Sequence, residues 1–86
     1  MSGSTKLEPQ QAFGRALRAA RLAAGLSQEE LGLESGVQRN FISLIELGQN
    51  QPSITTVFKL SKALKISAVE LVSATERLLE AADLSA

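Results

Sequence analysis

The sequence predicts an all-α fold made of one small domain with five helices. Its 86 residues are 44% apolar, yet only three are Phe and none is Tyr or Trp, a composition too poor in aromatic residues for a typical small β-sandwich or barrel. Apolar residues recur at spacings of three and four, the period of an amphipathic helix. Two Ser-x-x-Glu capping boxes mark places where helices begin.

The first helix is expected to begin near Gln10, after a flexible polar tail over residues 1–9, because Pro9 fits a first helical turn. Gly25 supplies the stop signal. The apolar stripe between them follows helical spacing and consists of Phe13, Leu17, Ala20 and Ala24.

The second and third helices are short, and a three-residue turn at 35–37 separates them. The capping box Ser27–Glu30 starts the second helix, which we expect over about 28–35. The third is expected over about 38–47, and Gly36 suits the positive φ that so sharp a reversal requires. The inward-facing side chains of this pair are predicted to be Leu31, Val37, Ile42 and Ile45.

Two more helices follow. Ser53 can cap a fourth helix, and the capping box Ser67–Glu70 opens a fifth that runs from Ala68 to about Asp83. The stripe of the fourth helix is Ile54, Val57, Leu60 or Ser61, and Leu64. In the fifth, apolar positions are 71, 72, 75, 78, 79 and 82, and Leu71 and Val72 can complete the core.

The composition also excludes classes of function. The absence of Cys and His removes thiol nucleophiles, thiolate zinc sites, and the commonest general base and metal ligand. With no Tyr and only one Asp, no credible nucleophile–base pair is left, so we expect no enzyme, no cofactor and no metal. The apolar stretches fall far short of the about 20 residues that span a bilayer, and no signal peptide is recognisable. We therefore expect no membrane partner and a cytoplasmic location.

Two short helices joined by a glycine-containing turn are typical of a helix-turn-helix, whose second helix fits the major groove of DNA. Spacing alone is weak evidence, because any small helical bundle has short helix pairs. Five motifs in order sharpen it: Gly-Leu-Ser-Gln-Glu-Glu-Leu (25–31), Ser-Gly-Val (35–37), Ile-Ser-Leu-Ile-Glu-Leu-Gly (42–48), Pro-Ser-Ile (52–54) and Lys-Leu-Ser-Lys-Ala-Leu (59–64). Over residues 13–72 the chain resembles the Cro and phage-repressor type (XRE-like) of helix-turn-helix transcriptional regulators.

The resemblance implies a five-helix, lambda-repressor-like DNA-binding domain over residues 10–72, with 73–86 as an extension of the fifth helix. It also implies sequence-specific binding to double-stranded DNA. Members of the family reach base edges from the first turns of the third helix, which correspond here to Gln38, Arg39, Asn40, Ser43 and Leu44. The alternative is that this polar run is only the solvated face of an amphipathic helix.

Phosphate contacts are expected at the start of the second helix and in the loop after the third, from Ser27, Gln28, Asn50 and Gln51. Leu44 stands where a basic or amide side chain is frequent in the family, and it suits a thymine methyl or a protein contact better. The resemblance further implies a partly buried ion pair between Arg21 and Glu46. The alternative is two unrelated surface charges, worth about 0 to 1 kcal/mol even if they touch.

The end of the fifth helix predicts a homodimer, since a monomer offers no obvious cover for its apolar side chains. The candidate dimer residues are Leu71, Thr75, Leu78, Leu79 and Ala82. A two-fold dimer would set two recognition helices about 34 Å apart on a pseudo-palindromic operator. This arrangement resembles the controller proteins of restriction–modification systems, although phage repressors and antitoxin partners share the outline. The alternative is that the extension packs on its own monomer.

The formal net charge of zero argues at first against a polybasic nucleic-acid binder. However, residues 1–65 hold eight Lys and Arg and five Glu, a net +3, whereas residues 66–86 carry a net −3. We therefore expect few cationic phosphate contacts and a shallow salt dependence. A protein-interaction module, such as an antitoxin or adaptor that uses Leu33, Leu44 and Leu47, is the competing function, and RNA polymerase is a further candidate partner.

Overall fold

Five α-helices form the chain in the computed structural model, which describes residues 6–85 and the side chains of 6–83. They are α1 (Pro9–Ala23), α2 (Gln28–Ser35), α3 (Arg39–Glu46), α4 (Ile54–Leu64) and α5 (Ala68–Ser85). No residue between 6 and 85 lies in a strand, so the predicted all-α, five-helix fold is confirmed. The predicted tail at 1–9 lies outside the described residues as far as residue 5, and Pro9 already belongs to α1. None of the helices within 6–85 has both the length and the apolar character needed to traverse a bilayer.

The starts of α2, α4 and α5 are fixed by local hydrogen bonds, as the capping signals predict. Both capping boxes form: Ser27 Oγ accepts from the amide of Glu30 at 3.0 Å, and Ser67 Oγ accepts from the amide of Glu70 at 3.1 Å. Ser53 caps α4 through the amide of Thr56. The turn between α2 and α3 also has the predicted backbone, with Gly36 at φ 75°. These bonds join residues three apart, so each can be recognised from a short stretch of sequence.

The core lies between α1 and the other helices and is built from side chains of all five. Its largest fully buried members are Leu17, Leu31, Ile42, Ile45, Leu60 and Leu71. Helix α1 crosses both α3 and α5, whereas α2 packs between α3 and α4. The four inward-facing residues predicted for the α2–α3 pair are all buried.

Three predicted core positions are wrong. Ala24 is exposed because α1 ends at Ala23 and the chain turns away at Gly25. Ile54 is 67% exposed because it is the first residue of α4, one turn before the buried residue Val57. Val72 is 45% exposed, since it lies about 100° around α5 from Leu71, which occupies the buried side.

Gly14 allows α1 and α3 to approach closely. A Cβ atom at this position would overlap the carbonyl oxygen of Ile45 and lie 2.9 Å from that of Glu46. Those carbonyls belong to the last turn of α3, and backbone cannot move aside as a flexible side chain can. Glycine inside a helix normally costs about 1 kcal/mol relative to alanine, so here close packing outweighs helix propensity.

We predict that Gly14→Ala destabilises the fold by about 2 kcal/mol, because overpacking of this kind costs about 1 to 3 kcal/mol even after alanine's better helix propensity. Urea denaturation followed by circular dichroism measures the change. The control is Gly25→Ala, where a Cβ meets nothing within 4 Å and only the positive φ of 73° opposes the substitution. Equal or greater stability of Gly14→Ala would contradict the close approach.

Candidate nucleic-acid interface

Helix α3 presents its polar side chains away from the core. Ile42 and Ile45 are fully buried beneath it. The predicted base-contact residues share the outward side: Gln38, Arg39 and Asn40 are exposed, and Ser43 and Leu44 are half-buried. Leu47, which ends the helix, is 65% exposed and adds an apolar side chain to this surface.

The start of α2 is the second polar feature, and Ser27 forms its N-cap. The Ser27 hydroxyl accepts one hydrogen bond as the cap, and its own hydrogen remains available to a further acceptor. The backbone amides of Gln28 and Glu29 lie in the first turn, where helix geometry gives them no intrahelical acceptor. The positive end of the helix dipole favours an anion here, although the carboxylates of Glu29 and Glu30 in the same turn offset part of that effect.

The side chain of Gln28 is half-buried and already makes one internal contact. Its Nε2 donates a hydrogen bond to Glu46 Oε1 at 3.0 Å. A side-chain amide has two N–H donors, so one is left for another acceptor. The glutamine that the resemblance assigns to a phosphate is therefore also linked to α3.

Arg21 and Glu46 form a two-pronged ion pair between α1 and α3. Arg21 Nε donates to Glu46 Oε2 at 2.6 Å, and Nη2 donates to Oε1 at 3.0 Å. The two side chains are only 9% and 3% exposed. Nη1 also donates to the carbonyl of Leu26 at 2.9 Å. Hydrogen bonding to Glu46 raises the pKa of Arg21 above its ordinary value despite the opposing effect of burial. The expected pair is thus present, and the alternative of two unrelated surface charges is wrong.

The loop after α3 is held by its own backbone and by α1. The amides of Gln49 and Asn50 both donate to the carbonyl of Leu44, at 2.9 and 3.3 Å. Gln10 Nε2 donates to the carbonyl of Gly48 at 2.6 Å, a contact across 38 positions that no sequence signal announced. Because the backbone amide of Asn50 already donates to Leu44, a phosphate contact from this loop depends mainly on the side chains of Asn50 and Gln51.

Two of the candidate dimer residues are used inside the monomer, which corrects their predicted role. Leu71 is 1% exposed, and Thr75 is buried with its hydroxyl donating to the Leu71 carbonyl at 2.9 Å. Neither can therefore supply an open surface. Leu78, Leu79 and Ala82 are half-buried. Among the side chains of α4 and α5 up to residue 83, the large apolar ones that remain exposed are Ile54, Phe58, Val69 and Val72.

Comparison with known proteins identifies relatives of the chain. The helix-turn-helix family model matches residues 17–71. The HTH-type transcriptional regulator y4dJ of Sinorhizobium fredii is 39% identical over 56 residues, which cover 65% of this chain and 73% of that protein. Control protein C.BamHI of Bacillus amyloliquefaciens is 38% identical over 64 residues, covering 73% of this chain and 79% of that protein.

Two solved structures are similar to this chain. The restriction–modification controller protein C.AhdI from Aeromonas hydrophila superimposes with a TM-score of 0.71 and 42% identity, over 72% of this chain and 94% of that one. The clp gene regulator ClgR from Corynebacterium glutamicum reaches a TM-score of 0.88 over 93% of this chain and 85% of that one. At 22% identity, ClgR supports the fold alone.

We predict that Arg21→Ala destabilises the fold by about 3 to 5 kcal/mol, because it leaves the Glu46 carboxylate buried without its main partner. Chemical denaturation measures the loss, and Arg18→Ala, at an exposed arginine one turn earlier, is the matched control. The double variant Arg21→Met, Glu46→Leu should recover much of the stability, since removal of both charges is often neutral. A loss below about 0.5 kcal/mol, the scale of a neutral surface change, would contradict a structural role for the pair.

Proposed function

The chain belongs to the helix-turn-helix family of transcriptional regulators, and on that basis we propose that it binds a specific double-stranded DNA sequence as a homodimer. The observation that carries the proposal is the pair Arg39 and Asn40, exposed at the start of a recognition helix whose other end is anchored by the Arg21–Glu46 ion pair. The relatives are described as regulators and controller proteins, which supports a non-enzymatic role.

Sequence would be read by the outward side of α3. The guanidinium of Arg39 can bond guanine O6 and N7 together, and the amide of Asn40 or Gln38 can do the same on adenine N6 and N7. Each such pair is worth about 1 to 3 kcal/mol of discrimination. Ser43 can bond either kind of base, and the half-buried Leu44 suits the methyl group of thymine.

Phosphates would be held by neutral donors on either side of the recognition helix. At the start of α2 these are the Ser27 hydroxyl, the Gln28 side chain and the free amides of the first turn. In the loop after α3 they are the side chains of Asn50 and Gln51. Such contacts position a protein on the duplex without reading its sequence. Because they neutralise few phosphates, the affinity should depend only weakly on salt.

Dimerisation would bury the apolar side chains that α4 and α5 leave exposed. Ile54 and Phe58 are one turn apart on α4, Val69 and Val72 one turn apart on α5, and the two helices pack together. The half-buried Leu79, two turns after Val72, extends this surface along α5, whereas Leu78 packs against the core and Ala82 lies nearer the side of Leu71. An isologous contact would then present two α3 helices to a pseudo-palindromic operator whose half-sites lie about 34 Å apart.

A protein-interaction module is the second candidate. Leu33 on α2 is 81% exposed, and Leu47 at the end of α3 is exposed beside the reading surface. A protein partner, RNA polymerase included, would account for two leucines left open to water. Binding to a selected duplex that survives an excess of nonspecific DNA distinguishes the two functions, because a module that binds only protein has no such preference.

We predict that selection from a random duplex library enriches a pseudo-palindrome, and that Arg39→Ala lowers affinity for it about tenfold or more by removing one bidentate base contact. The matched control is Arg15→Ala, which removes the same charge from the exposed side of α1 and should spare sequence preference. Failure to enrich any palindrome would refute the dimeric operator, and an unchanged preference in Arg39→Ala would refute base reading by α3.

We also predict that Val72→Glu converts a dimer to a monomer, because it buries a carboxylate in the proposed interface. Sedimentation velocity at micromolar concentrations measures the change. Leu22→Glu, at an apolar residue on α1 that is 56% exposed, should leave the association state as it is. A wild-type chain that sediments as a monomer throughout would refute the homodimer, and a Val72→Glu variant that still dimerises would place the interface elsewhere.

A further inference from the structure

Gln28 and Glu46 join α2 and α3, the two helices that are proposed to contact DNA. Gln28 is the first residue of α2, where phosphate contacts are proposed, and Glu46 is the last residue of α3. The 3.0 Å hydrogen bond from Gln28 Nε2 to Glu46 Oε1 spans 18 positions and is partly buried. This contact therefore connects the start of α2, where phosphates would bind, to the end of α3, which the Arg21–Glu46 ion pair holds in place.

The Glu46 carboxylate cannot turn freely, because Arg21 fixes its plane. The guanidinium donates to both carboxylate oxygens, from Nε to Oε2 and from Nη2 to Oε1. A two-pronged contact of this kind sets geometry as well as energy. Glu46 Oε1 thus accepts hydrogen bonds from two residues, Arg21 and Gln28. The Glu46 side chain is only 3% exposed, so the Gln28 amide is bound to a buried carboxylate.

We infer that Gln28 is a positioning residue, which sets the start of α2 at a fixed place relative to α3 through the Glu46 carboxylate. The inference rests on the proposed function, in which α3 reads bases. When a phosphate oxygen binds at the start of α2, the rigid link from Gln28 to Glu46 determines how far α3 enters the groove and at what angle. The second N–H of the amide stays available to that phosphate.

A positioning role and a simple phosphate contact have different consequences. A phosphate contact is independent of sequence, so its loss weakens binding to every duplex alike. Base hydrogen bonds are lost over a few tenths of an ångström or a few tens of degrees. A loosened joint between α2 and α3 therefore costs mostly the affinity that depends on sequence.

The test uses Gln28→Met, which keeps the length of the side chain and removes its amide. Fluorescence anisotropy gives the Kd for the selected duplex and for a scrambled duplex of the same composition. We expect affinity for the selected duplex to fall about tenfold more than that for the scrambled duplex, and this excess is the equivalent of one hydrogen bond to a charged group. The scrambled duplex should lose only the phosphate contact that the same amide makes. Gln51→Met, the same change at an exposed glutamine of the loop, is the matched control and should weaken both duplexes equally.

A second readout needs no DNA. The ¹H–¹⁵N signal of Arg21 Nε reports its hydrogen bond to Glu46 Oε2. It should shift in Gln28→Met and in Gln28→Asn, whose amide is one methylene too short to reach, but not in Gln51→Met. Should Gln28→Met fail to fold, Gln28→Asn replaces it in the binding measurement.

Equal weakening of both duplexes by Gln28→Met would overturn the inference, and so would unchanged affinities or an unmoved Arg21 signal. If the wild-type chain prefers no duplex, the proposed function fails instead. The Arg21 signal then still decides whether Gln28 holds the carboxylate.

Discussion

The position of α3 against α1 and α2 depends on the hydrogen bonds that the buried carboxylate of Glu46 accepts. This carboxylate lies at the end of α3 and accepts hydrogen bonds from Arg21 of α1 and Gln28 of α2. Arg21 continues the network to the carbonyl of Leu26, in the connection between α1 and α2. A charge this well buried is tolerated only while its partners stay in place. The network therefore penalises any arrangement in which the three helices separate, which apolar packing alone does less sharply.

Two further contacts support α3 at the same end. Gly14 lets the backbone of α1 lie directly against the Ile45 and Glu46 carbonyls, and Gln10 holds the carbonyl of Gly48 just beyond the helix. The opposite end, with Arg39 and Asn40, is exposed and begins at Gln38, whose side chain makes no capping hydrogen bond. The helix thus combines a rigid support at one end with open polar side chains at the other, as precise base recognition requires.

The parts of this fold that sequence could predict are the local ones. Capping boxes and turn glycines act over three or four residues, so helix starts at Ser27, Ser53 and Ser67 follow from short patterns. Periodicity identifies the apolar side of a helix but not how far burial extends over it. Ile54 is exposed because it is the first residue of α4, and Val72 because it lies beside the buried side of α5.

The candidate site divides in the same way. The outward residues of α3 follow from helical spacing once the family resemblance is recognised, and so does the Arg21–Glu46 pair. The contacts of Gln10 and Gln28 could not be predicted from the sequence. They join residues 38 and 18 positions apart, and a glutamine carries no charge to suggest its partner. The close approach at Gly14 is hidden too, since a helical glycine reads only as a weak helix former.

The net charge of zero gives this rigidity a functional reason. A regulator with many cationic phosphate contacts gains much of its affinity from any duplex, whatever its sequence. Here the proposed phosphate donors are neutral, and the exposed carboxylates Glu76, Glu80 and Asp83 near the end of α5 add repulsion wherever they approach DNA. Under the proposed function, binding then comes mainly from base contacts. Such a protein spends little time on random DNA, and its discrimination depends on how precisely the Glu46 network holds α2 against α3.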